Sequence, residues 1–294
     1  MRNLTVKKLL PLIVALIGLG LAYAPVSQVV SLWGMPATFW VALGVFLIQW
    51  IAFAFAYKFQ TEKFYDLTGS LTYISLTIIL AACCASGSLI AWILAACVLI
   101  WALRLGTFLT IRISKSGGDS RFEDIKPNFW RFLTAWTLQG LWISLTALGA
   151  WIGISLTTQA GMSWLSWVGL AIWTAGFIFE AVADQQKYNF KQDPANRGKF
   201  IQHGLWSISR HPNYLGEITL WIGVLLIVAP ALNGGAWVAV LSPIFVTLLL
   251  TKISGLPMLE KKGLERWGED PEYQKYLAET GVLIPGIGKG KPTV

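Results

Sequence analysis

What this sequence most lacks is charge. Asp, Glu, Lys and Arg make up 13% of its 294 residues, where an ordinary globular domain carries roughly 25%. No charged residue falls between Leu9 and Tyr57, Leu67 and Leu103, Phe132 and Phe179, or Ile218 and Thr251. Gaps of that length exclude the pair of soluble domains that length alone would allow. Cysteine is scarce as well: Cys83 and Cys84 are adjacent and Cys97 stands in an apolar run. Neither a disulfide framework nor a zinc spacing exists, and no metal site is expected. There is no repeat of fixed period, no low-complexity tract, and no retention or sorting motif.

What is present is hydrophobic. Apolar residues make up 55% of the chain, with sixteen Trp, a residue favoured at membrane–water interfaces. A bilayer core takes about 20 residues of helix, so each gap is long enough for two spans. Each is broken near its middle by turn formers: Pro25 to Pro36, Ala85-Ser86-Gly87, Gly161 to Ser163, and Pro230 to Gly235. The expectation is an all-α integral membrane protein with about eight transmembrane helices over 8–29, 36–57, 67–85, 88–112, 132–156, 163–186, 213–230 and 236–254. Met1 to Ala24 mimics a signal peptide, but Pro25 would follow the cleavage point, so an uncleaved first span is expected.

The 23 basic and 15 acidic residues all fall in 1–8, 58–66, 104–131, 180–217 and 252–294. The positive-inside rule then places both termini and the three long loops in the cytoplasm. The net charge of +8 reads as topology and attraction to anionic membrane lipid. No nucleic-acid partner is expected, since no basic patch lies outside the membrane-flanking loops.

Chemistry-bearing residues concentrate after residue 180. Glu180, Asp184, Lys187 and Lys191 are spaced four, three and four, one stripe on a helix with Tyr188 beside it. Ionisable groups ending a transmembrane helix face the bundle interior or a cavity; the alternative is i,i+4 ion pairs on a helix that has emerged into water. A second cluster runs Ser207-Ile-Ser209-Arg210-His211-Pro212-Asn213-Tyr214-Leu215-Gly216-Glu217. Pro212 suits the first turn of a helix, which sets Asn213 and Glu217 on its opening turns. Arg210 and His211 stand at the helix mouth, where an anion such as phosphate is favoured; the plainer reading pairs Arg210 with Glu217. Segment 191–212 reads as an ordered loop or short re-entrant piece. The tail carries helical candidates through Tyr273 and Tyr276, and its Pro/Gly/Lys-rich end reads as frayed.

The stretch GLWSISRHPNYLGE, with FEAVADQQKYNFKQDPANRGKF before it and EYQKYLAETGVLIPGIG in the tail, resembles the steroid 5α-reductase C-terminal superfamily. It looks closest to the bacterial DUF1295-type membrane proteins. The likeness covers about 60–290 and is strongest over 175–290. The RHPxYxG core is shared with isoprenylcysteine carboxyl methyltransferases. The resemblance implies an N-terminal hairpin and loop over 1–66 and a membrane domain over 67–294. It also implies that 180–294 encloses NADPH on the cytoplasmic side of a bacterial inner membrane. By position Asp184 matches an acid on the cofactor-binding helix, Glu180 falls where the family often has Asn, and Lys191 replaces an Arg. Asn213 and Glu217 match the Asn and Glu that contact the nicotinamide end. Arg197, Lys199 and Phe200 fall in the loop that holds the adenosine phosphates. Ser207, Tyr214, Tyr273 and Tyr276 join the same pocket.

The catalytic half departs from the family. There a Glu and a Tyr on successive spans polarise an enone carbonyl. Here the nearest acid is Asp66, and the Tyr position falls near Trp101. Asp66 with Tyr65 or Tyr73 are the candidates, although Asp66 equally suits a helix N-cap. The resemblance implies an NADPH-dependent reductase of a C=C bond in a lipophilic enone or steroid-like substrate that arrives through the bilayer. An S-adenosylmethionine-dependent membrane methyltransferase is the alternative. A transporter is disfavoured, because the charges cluster at helix ends, away from the midplane.

Overall fold

The computed structural model describes residues 2–85, 87–116, 118–119, 122–158 and 161–290, with side chains from Lys8 onward and Ser116 excepted. Ser86 of the second hairpin turn and residues 291–294 of the tail therefore lie outside the described residues. The described chain is almost wholly helical. In order come α1 (Arg2–Tyr23), the two-residue strands β1 (Ser31–Leu32) and β2 (Met35–Pro36), α2 (Ala37–Lys58), α3 (Tyr65–Cys84), α4 (Leu89–Ser116), α5 (Phe129–Thr146) and α6 (Leu148–Ser155). Then follow α7 (Trp164–Gln192), α8 (Pro212–Val228), α9 (Leu241–Leu248), α10 (Leu256–Trp267) and α11 (Pro271–Glu279).

The protein is an integral, multi-pass membrane protein. Six helical stretches among the described residues are long and apolar enough to cross a bilayer, and only 28–50% of each apolar window is buried within the protein. The apolar remainder needs lipid around it. Two departures from the expected spans have local causes. Residues 132–156 do not form one straight helix: α5 and α6 meet at Ala147 with a 52° bend, and as one broken span they bring the count to seven. The apolar part of α1 runs only from Lys8 to Tyr23, because residues 28–30 leave the helix and pair with the end of α6. Val30 N–H donates to Ser155 O at 2.7 Å and Thr157 N–H to Gln28 O at 3.0 Å.

The chain divides into two compact units: residues 1–166 with 227–242, and residues 167–226 with 243–294. In the first, packing between apolar helices is fixed by shape and by isolated polar contacts. Phe46, 1% exposed, fills notches left by Gly18 of α1 and Gly140 of α5; a Cβ on either would fall 2.8 Å from its ring. Gln49 Nε2 donates to Thr72 Oγ1 (3.1 Å), Trp50 Nε1 to Thr137 Oγ1 (3.0 Å), and Trp151 Nε1 to Thr77 Oγ1 (2.9 Å). Outside the spans, Glu62 accepts from Lys126 Nζ at 2.5 Å and Asp119 N–H at 3.0 Å, which ties loop 118–126 to the start of α3.

In the second unit α7 and α8 run antiparallel at backbone contact. A Cβ on Gly216 would lie 2.6 Å from Glu180 N, one on Gly176 2.6 Å from Leu220 N, and one on Gly223 2.5 Å from Trp173 N. These glycines set the register: residue 216 opposite 180, and 223 opposite 173. A π-helical turn, Leu249–Ile253, carries the chain from α9 to α10.

Candidate functional site

The second unit gathers most of the residues that the sequence singled out. Register across the glycine seam puts Glu180, 2% exposed, against Gly216 on the second turn of α8, with Asp184, 8% exposed, one turn along α7. Asn213, Tyr214 and Glu217 occupy the opening turns of α8 and are half-buried. Tyr188 is half-buried, while Lys191, Arg197 and Lys199 are exposed.

Of segment 191–212, Lys191 and Gln192 complete α7, Pro212 opens α8, and residues 193–211 form the loop that its punctuation implied. Asp193 caps a single 3-10 turn, Pro194–Asn196, by accepting from Ala195 N–H. The loop then returns to α7: Leu205 N–H donates to Gln186 Oε1 at 2.9 Å, and the Gln186 amide fills the place where a Cβ on Gly204 would go. Gly204 has φ +63°, so position and conformation both require glycine there. Trp206 is the keystone of this loop. Its indole N–H donates to Ala183 O at 3.0 Å, its carbonyl accepts from Tyr276 Oη at 2.7 Å, and the Lys187 ammonium lies 4.3 Å from its ring centre. Lys187 is thus spent on an aromatic face.

Arg210 has a buried acidic partner from α10. Its Nη1 stands 2.9 Å from Glu260 Oε2, with both side chains under 5% exposed, and His211 Nε2 lies 2.7 Å from Glu260 Oε1. The guanidinium expected to meet a ligand's phosphate therefore has its charge met inside the protein. Burial holds the His211 imidazole below its ordinary pKa, against the opposing pull of the Glu260 carboxylate. The tail is not frayed over its described residues. Ser209 and Gly281 form a parallel bridge, Arg210 N–H donates to Gly281 O at 2.9 Å, Ser209 Oγ donates to Leu283 O at 2.7 Å, and Arg210 Nη2 donates to Gly288 O at 3.3 Å.

Phe200, Tyr273 and Tyr276 form an aromatic cluster with Trp267, ring centres 4.9–6.3 Å apart. Tyr273 Oη occupies the space that a Cβ on Gly263 would take, and burial raises the pKa of both tyrosines. A cleft of about 380 Å³ is lined by Ser207 and Tyr276 together with Gln202, Glu272, Lys275, Glu279 and Thr280. Its two acids make it a poor seat for a polyanion.

The substrate-side expectations lie in the first unit, all on α3. Tyr65 Oη donates to Ala135 O at 2.9 Å. Asp66 is not the cap, a position that Phe64 holds; its carboxylate lies 3.7 Å from Arg112 Nη2. Tyr73 is buried, edge-on to Trp101 at 5.2 Å. Eight residues of helix put Tyr65 and Tyr73 about 12 Å apart along the axis, so α3 does not bring the three together. Sequence reasoning missed Glu260, Gln186 and Trp206. Glu260 was findable: Leu256, Glu260 and Gly263 form the buried stripe of α10, and an acid on such a stripe needs a buried cation. Among the described residues there is no grouping of His, Cys, Asp and Glu able to hold a metal.

The profile of the family described as "Protein of unknown function (DUF1295)" matches residues 52–280. A curated protein of Ustilaginoidea virens, named "Probable O-methyltransferase ustE", is 40% identical over 53 residues. That stretch is 18% of this chain and 18% of the relative, so less than a fifth of the relative's length is spanned. No solved structure matches.

Proposed function

From the premise that this chain belongs to the DUF1295 family, we propose that it is a membrane-embedded enzyme whose second unit binds a nucleotide cofactor, NADPH in the preferred reading. One observation carries it: Glu180 and Asp184 are buried on α7, Glu180 against Gly216 of the α8 turns that bear Asn213 and Glu217, and exposed Lys191, Arg197 and Lys199 follow at the end of α7 and in the loop after it. Carboxylates accept from sugar hydroxyls, an amide pairs with a carboxamide, and exposed bases suit phosphates. With Arg210 paired to Glu260, those three exposed bases are the ones proposed to meet the phosphate charge. When bound, NADPH supplies a hydride to an activated C=C bond of a lipophilic substrate; the protein positions the two and stabilises the developing enolate. The excess of Lys and Arg in the charged segments supports a cytoplasmic site, in keeping with a bacterial inner membrane.

The partial methyltransferase relative favours a second reading, S-adenosylmethionine held by His211, Asn213 and the acidic pair Glu180 and Glu217. Thermal unfolding of the detergent-purified protein separates the two. A ligand at 100 times its Kd stabilises by about 2.7 kcal/mol, and the expected result is a rise in Tm with NADPH. A rise with S-adenosylmethionine and none with NADPH overturns the reductase in favour of the methyltransferase.

A further inference from the structure

The two nitrogens of His211 have unequal surroundings. The side chain is 7% exposed, with Nε2 2.7 Å from Glu260 Oε1, while Arg210 stands at the other carboxylate oxygen. The guanidinium favours the ionised carboxylate, which only accepts hydrogen bonds, so Nε2 carries the proton. In the neutral ring Nδ1 is then a bare acceptor. That nitrogen is buried and has no hydrogen-bond partner among the described residues, a state whose desolvation cost is normally offset by a donor. Its place is the mouth of α8: the His211 carbonyl accepts from Tyr214 N–H at 3.1 Å and Leu215 N–H at 3.2 Å, and its ring stacks on Tyr214 at 5.8 Å.

We infer that His211 Nδ1 receives a hydrogen-bond donor of the bound ligand, a sugar hydroxyl or an amide or amino N–H of a nucleotide, and that no phosphate oxygen contacts it. A phosphate oxygen is itself an acceptor, and two lone pairs repel. The inference deepens the nucleotide reading and rests on it. It also reverses the expectation that His211 helps to bind an anion. Protonation of Nδ1 removes the acceptor, so binding weakens as pH falls. The charged groups acting on the ring are Glu260 from α10, Lys187 from α7 and its neighbour Arg210; burial, with the two cations on its side, outweighs Glu260 in holding the ring neutral.

Two variants divide the ring's functions. His211→Gln presents an amide N–H toward Glu260 and leaves nothing at the Nδ1 position. His211→Asn places an amide oxygen near Nδ1 and gives up the bond to Glu260. Calorimetric binding of NADPH and of S-adenosylmethionine to the full-length protein in detergent, with unfolding midpoints as control, is the test. For whichever cofactor binds, His211→Gln is expected to weaken binding roughly 10–100-fold with a near-native midpoint. His211→Asn is expected to bind within about 3-fold of wild type at a lowered midpoint, without the wild type's loss of affinity on acidification. Wild-type affinity in His211→Gln together with pH-independent binding means that Nδ1 holds an internal water only; that overturns the inference and leaves the nucleotide reading standing. Failure of the wild type to bind either cofactor overturns both.

Discussion

Replacing Glu260 by Ala strips the counter-charge from an arginine whose side chain is 2% exposed. The attraction in such a pair is large, but so is the cost of desolvating two ions, so the pair contributes little net stability against an apolar pair of the same volume. Removing one partner is different. Arg210 would keep its contact with Gly288 O at 3.3 Å, but a buried charge stripped of its carboxylate costs about 3–5 kcal/mol. His211 Nε2–H would lose its acceptor as well, a further penalty of about 1–3 kcal/mol that overlaps the first because both act through one carboxylate. The expected loss for Glu260→Ala is therefore about 3–6 kcal/mol, read by denaturant unfolding in detergent. Glu265→Ala, on the exposed i,i+4 pair with Lys261, is the control and should change stability by under about 0.5 kcal/mol. The double variant Arg210→Met/Glu260→Met should recover most of the loss, since neither charge is left buried. A Glu260→Ala cost below about 1 kcal/mol, or a double variant worse than the single, refutes the reasoning.

Gly216→Ala drives a Cβ to 2.6 Å from Glu180 N, so α7 and α8 must part. The expected cost is about 1–3 kcal/mol, measured by unfolding, with loss of NADPH-induced stabilisation. Gly204→Ala meets both a φ of +63° and the Gln186 amide and should cost about 1–3 kcal/mol. In pH titrations of stability the signs follow from depressed folded-state pKa values. The neutral His211 contribution is full above the ordinary imidazole value of 6.5 and declines as pH falls from there. Burial alone would raise the Glu62 pKa, but bonds from Lys126 and Asp119 N–H bring it below 4.5, so its contribution declines as pH falls from that value. His211→Gln should flatten the first decline and Glu62→Gln the second.

Much of the fold was legible because lipid imposes it. Charge-free runs longer than a bilayer is thick gave the α2, α3 and α4 helices within a few residues, and the 4-3-4 spacing of Glu180, Asp184, Lys187 and Lys191 put four polar groups on the helix that became α7. Loop 191–211 was legible through Pro194, Gly198, Gly204 and Pro212. What stayed hidden depends on contacts between residues far apart in sequence. Nothing in RHPNYLGE indicates that Arg210 turns to an acid 50 positions away. Nothing in a Pro/Gly/Lys-rich tail indicates that Gly281 will extend a bridge to Ser209. The bend at Ala147 was invisible for another reason: TALGAW has no proline or charge to mark it, and apolar periodicity runs straight through.

The bridge from Ser209 to Gly281 has a bearing on how the protein is made. At about 5–20 residues per second, the ribosome adds Glu260 some seconds after Arg210 and reaches Gly281 later still. Throughout that interval the mouth of α8 lacks the partners that residues 260–288 supply to Ser209, Arg210 and His211. Completion of that mouth thus waits on the synthesis of residues 260–288. A nascent chain arrested before Glu260 carries Arg210 and His211 without the carboxylate that both face in the finished fold.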